Sequence, residues 1–118
     1  MALRLYFKLA WRLRTPFVFL LDKKYNLATP KLLKDIQREL SQEKYITDYF
    51  DCDDYAWLFK ALANRVKVNG IGFVVGKSIG GWHAWNVALK KDGVYQIEPQ
   101  TGYTFKKDKG YKPIAVII

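Results

Sequence analysis

Phe50-Asp51-Cys52-Asp53-Asp54-Tyr55-Ala56 opens a helix, and the way that helix ends decides the fold class. From Asp51 onward, Ala56, Phe59, Leu62, Ala63 and Val66 recur at helical spacing and form one inner stripe. Asn69-Gly70 stops the pattern, because both residues tolerate the backbone that closes a helix. Beyond Gly70 the period shortens to that of strands. Residues 71–75 read as a short apolar strand, 76–81 as a glycine-containing loop, 83–89 as a second strand and 94–98 as a third. Lys90-Lys91-Asp92-Gly93 between the last two is a hairpin signal, and residues 111–118 supply a final strand.

Upstream, Thr29-Pro30 is a helix start, an N-cap followed by proline at the first helical position. Leu32, Leu33, Ile36 and Leu40 share one face through about Ser41, and residues 42–50 read as a loop. Residues 3–13 satisfy two templates: apolar residues at every odd position, and Arg4, Lys8 and Arg12 four apart as the wet stripe of a helix. Their Ala, Leu, Arg and Lys content tips the reading to helix. Helices first and an antiparallel sheet second predict an α+β fold, with the Cys52 helix packed on a C-terminal sheet.

A chain of 118 residues, half of them apolar, predicts one domain over residues 1–118 with a core of its own. Its one cysteine forms no internal disulfide and excludes a four-thiolate metal site, which suits a reducing, cytoplasmic setting. The net charge of +9 is spread in small groups, Arg12/Arg14, Lys23/Lys24 and Lys106/Lys107/Lys109. It reads as solvated basic surface or as a contact for nucleic acid or another polyanion. The longest apolar run of the N-terminal segment, Pro16 to Leu21, is too short for a membrane span, so a packed element is expected there.

Cys52, His83 and Glu98 follow one another along the chain, and cysteine and histidine each occur once. A thiol, an imidazole and a carboxylate are the parts of a nucleophile, its base and the acid that orients the base. A helix N-terminus lowers a thiol pKa through its unpaired N–H groups, whereas Asp51, Asp53 and Asp54 oppose a thiolate. The structural alternatives are a small buried thiol at Cys52 and a core imidazole at His83 between tryptophans. Strand geometry bears on the pairing. A two-residue turn at Lys91-Asp92 sets Glu98 opposite Trp85, on His83's face and diagonal to it, whereas a turn at Asp92-Gly93 moves Glu98 farther off.

Asp-Cys-Asp-Asp-Tyr-Ala at a helix start, Trp-His-Ala-Trp-Asn on a strand and Ile-Glu-Pro-Gln on its neighbour resemble the transglutaminase-like/papain-like cysteine peptidase superfamily. The likeness runs from about Tyr25 to Gly102 and is nearest to the papain-like C-terminal domain of a fungal agglutinin and to small phage proteins of that type. It implies a hydrolase or acyltransferase, a thiol protease or amidase taking a peptide or amide substrate. Cys52 would then be nucleophile, His83 base and Glu98 orienter, with Trp82, Trp85 and Tyr103 as cleft wall. It implies no organic cofactor, and it allows calcium at Asp53 and Asp54. The glutamine that completes papain's oxyanion hole has no counterpart, since Gln42 lies too far back. The alternative is a catalytically silent binding or inhibitor module of the same fold, contacting polyanions through its basic surface.

Overall fold

The computed structural model describes residues 2–118, and its elements follow in the order α1 (Ala2–Leu13), β1 (Phe17–Phe19), α2 (Pro30–Leu40), α3 (Cys52–Arg65), β2 (Ile71–Ser78), β3 (Gly81–Lys90), β4 (Gly93–Ile97), β5 (Thr104–Phe105) and β6 (Tyr111–Ile117). The strands form one sheet in the order β1-β6-β2-β3-β4-β5. The fold is therefore a small α+β domain with three helices and a six-stranded sheet. The sheet is mixed rather than wholly antiparallel, because β1 pairs with β6 in parallel. Periodicity alone missed this pairing. The short Phe17–Phe19 strand becomes regular only by adding to an edge that is formed about a hundred residues later.

Helices cover both faces of the sheet. Leu9 and Leu13 of α1 pack with Val74, Trp85, Val87 and Val116 on one face. Ile36 and Leu40 of α2 and Phe59 and Leu62 of α3 pack with Ile71, Ala88 and Ile97 on the other. The two cores follow from strand alternation: Trp85, Val87 and Leu89 point one way from β3, and Ala84 and Ala88 the other. Each large side chain buried in this way stabilises by about 1.5–3 kcal/mol relative to exposure. Asn86 lies between sheet and helix, where its Nδ2 donates to Ala56 O and Gly72 O, both at 2.9 Å, tying α3 to β2.

The starts of α2 and α3 follow the sequence. Thr29 accepts from the Leu32 N–H at 3.2 Å, with Pro30 in the first turn. The Asp51 N–H donates to Asp54 Oδ2 at 3.1 Å, the back-reaching half of a capping box, and puts Cys52 at the first helical position.

Between β3 and β4 the register Lys90↔Gly93 to Asn86↔Ile97 fixes a two-residue turn at Lys91-Asp92. Strand β2 runs three residues past its expected end. Ser78 pairs with Gly81, so residues 76–78 are strand and only Ile79-Gly80 remain as turn. The glycine at 76 was misleading. A Cβ there would lie 2.1 Å from Lys112 O, so this glycine permits close strand packing and does not mark a loop.

Candidate binding cleft

At the end of the sheet where β2 turns into β3, an open cleft of about 380 Å³ is lined by Tyr45, Cys52, Ser78, Gly80, Trp82, His83 and Gln100. Four segments meet there: the loop before α3, the first turn of α3, the β2–β3 turn and the loop after β4. Tyr45 and Trp82 stand more than half exposed at its rim, and Lys77 Nζ lies 5.3 Å from the centre of the Trp82 ring.

His83 and Glu98 are brought together. The register beyond Asn86↔Ile97 sets Glu98 opposite Trp85, and the carboxylate reaches diagonally to His83 Nε2 through Oε1. Glu98 is buried, and it also accepts from the Gln100 N–H at 3.3 Å and from Tyr111 Oη at 3.4 Å. The imidazole lies near-parallel to the Trp85 ring with centroids 5.8 Å apart, and Tyr111 closes the other side at 6.1 Å. Burial and the neighbouring carboxylate push the Tyr111 hydroxyl up to about 12.

Cys52 reaches the same cleft from the other side of the sheet. It is half-buried and packs with Ala56, Phe73 and Ala84, whereas His83 packs with Trp85 and Tyr111. Among the described residues no hydrogen bond joins Cys52 to His83. The thiol is also pushed up from its ordinary value, first by burial and then by the charges of Asp51 and Asp53, against hydrogen bonds from the backbone of Ala84 and Asp53. A lowered, histidine-paired thiol was expected; here the thiol is raised and makes no hydrogen bond to His83 among the described residues. The helix N-terminus does not prevail because burial, and after it the flanking carboxylates, oppose it.

Other expected residues divide. Trp82 lines the cleft. Trp85 does not: it is wholly buried, with its indole N–H donating to Gln96 Oε1 at 2.9 Å, so it belongs to the core beneath His83. Tyr103 lies off the cleft, stacked on Phe105 and donating to Asp108 Oδ2 at 2.6 Å. Tyr45, Ser78 and Gln100 were not anticipated, because each comes from a loop whose path no local pattern predicts.

The oxygens of Asp51, Asp53 and Asp54 lie within 4.8 Å of one another. The carboxyls of Asp51 and Asp53 interact directly, and holding a proton between them lowers Asp51 and raises Asp53. Asp54 holds the Asp51 N–H, and no lysine or arginine among the described residues pairs with the three. Calcium takes about six to eight oxygens. The cluster brings three such side chains together, and one of them, Asp54, also holds the helix start.

The agglutinin C-terminal family matches residues 25–104, well over half of the chain. The chain belongs to that family. Two solved structures are similar. The Polyporus squamosus lectin, bound to the human-type influenza-binding epitope Neu5Acα2-6Galβ1-4GlcNAc, shares 26% identity and a TM-score of 0.82 over 98% of this chain and 48% of its own. PSL1a, in its complex with E64, shares 26% identity and a TM-score of 0.75 over 86% of this chain and 43% of its own. The chain thus spans about half the length of the proteins it matches. No curated protein sequence matches it.

These matches overturn the peptidase reading, and with it the hydrolase, thiol-protease and papain-like assignments: the family is an agglutinin family and the named neighbour a lectin. The three motifs specify that Cys52, His83 and Glu98 meet near one cleft; they do not specify an activated thiolate. No helix among the described residues is long and apolar enough to cross a membrane.

Proposed function

We propose that the chain is a carbohydrate-binding module of agglutinin type, taking a saccharide in the cleft between Tyr45, Trp82 and Gln100, above the His83–Glu98 pair. The observation that carries this reading is the likeness over 98% of the chain to a lectin solved with a bound glycan. Because the chain corresponds to about half of that lectin, the assignment of sugar binding to this half is part of the proposal.

The cleft chemistry supports it. Sugars offer apolar C–H faces and a fringe of hydroxyls, so their sites combine exposed aromatic rings with convergent polar groups. Tyr45 and Trp82 supply the rings, and Ser78, Gln100 and the imidazole of His83 supply the polar groups. Glu98 holds that imidazole in one orientation, as a buried carboxylate does for a ring nitrogen. Lys77 beside Trp82 offers a cation to an acidic sugar.

A glycan array probed with the purified chain tests the proposal. Binding should be found among sialylated glycans, Neu5Acα2-6Galβ1-4GlcNAc among them, and Trp82→Ala should weaken it by about tenfold. An array with no bound glycan would overturn it.

A further inference from the structure

We propose that the outer face of α1 binds the surface of an anionic lipid bilayer. The helix buries Leu9 and Leu13 on the sheet, yet its opposite face is not polar throughout. Leu3, Phe7 and Trp11, spaced four apart, form a ridge along it with 69%, 61% and 81% of their surfaces exposed. Single exposed apolar residues are ordinary, but three large ones aligned on one helix mark a contact surface.

Charge decides which contact. Arg4, Lys8 and Arg12 form a second exposed line immediately beside the ridge, and α1 contains no acidic residue. Lys106 and Lys107 border the same cavity as Trp11 and Arg12, and no carboxylate lines it. None of these cations is ion-paired among the described residues. An apolar ridge flanked by lysine and arginine is the arrangement of helices that lie in the membrane interface, with the apolar side chains among the acyl chains and the cations at the headgroups. A nucleic acid or soluble polyanion would use the cations and leave the ridge in water. A protein partner would need a groove shaped to it, whereas a bilayer accepts a convex ridge without one.

Co-sedimentation of the full chain with lipid vesicles tests this. Vesicles with about 30 mol% phosphatidylserine should pellet the chain, neutral phosphatidylcholine vesicles should not, and binding should fall as salt rises. The double variant Phe7→Ser/Trp11→Ser should bind at least about tenfold more weakly, and Arg4→Glu/Lys8→Glu should lose a similar amount. Both pairs are solvent-exposed, so the melting temperature should hold; if the serine pair lowers it, the glutamate pair carries the test. Failure to bind anionic vesicles would overturn the proposal. So would undiminished binding by Phe7→Ser/Trp11→Ser, which would leave only charge attraction. A dimer in sedimentation velocity that Trp11→Ser dissociates would assign the ridge to a second copy and overturn it likewise. The glycan array result has no bearing on this outcome.

Discussion

Glu98 holds the ring of His83 through Nε2, and the two meet because the Lys91-Asp92 turn puts Glu98 opposite Trp85. The carboxylate sits in a closed environment, accepting also from Tyr111 and the Gln100 N–H. The pair is therefore a structural strut under the cleft as well as part of its wall.

Tyr111 reports on that strut. Its folded pKa of about 12 lies above the ordinary 10.0, so the folded chain holds the phenolic proton more tightly than the unfolded chain does. The stability it contributes is present below about pH 10 and is lost as pH rises from there towards 12. Glu98→Gln removes the carboxylate's repulsion of the phenolate. Ultraviolet titration should then show Tyr111 ionising at lower pH, while burial keeps it above 10. An unchanged titration would mean that Glu98 does not face Tyr111.

Cys52 should be a sluggish thiol. Its pKa is raised above 9.0, so iodoacetamide labelling of the folded chain near neutral pH should be slower than that of a free thiol and should climb only in alkaline solution. Asp53→Asn should speed it by removing one opposing charge. Rapid labelling well below pH 7 would show that the thiol is activated after all.

Gly76→Ala should break the pairing of β2 with β6. The added Cβ would meet Lys112 O at 2.1 Å and the Trp85 ring at 2.8 Å, and neither can move without shifting the sheet. Urea unfolding should show a loss of about 3 kcal/mol or more. A loss below about 1 kcal/mol would mean the strands sit farther apart than described.

EDTA should leave the melting temperature unchanged. Asp51 and Asp54 form the capping box at the start of α3, a role that needs no cation. A drop on chelation that calcium reverses would make these carboxylates ligands.

Much of this architecture was legible. Thr29-Pro30 and Asp51-Cys52 marked helix starts because capping is a local interaction, written within four residues. The β3–β4 hairpin was legible for the same reason, and its register carried the meeting of His83 with Glu98. What escaped depends on distant partners. The β1–β6 pairing joins the two ends of the chain, and β5 is too short to show a period. Trp85 reads as cleft wall from its place beside His83 in the motif; α1, covering that face of the sheet, buries it. The chemistry of Cys52 was misjudged at the level of environment. A sequence shows a thiol at a helix start, but not the burial and the opposing carboxylates that keep it protonated.

The most direct measurement of the proposed carbohydrate binding is a titration of the isotope-labelled chain with a sialylated trisaccharide, followed by amide and side-chain chemical shifts. The predicted result is saturable movement confined to the indole of Trp82, the ring of His83, the side-chain amide of Gln100 and the backbone of the β2–β3 turn. The contradicting result is no movement at these groups at millimolar sugar, or movement confined to residues outside the cleft.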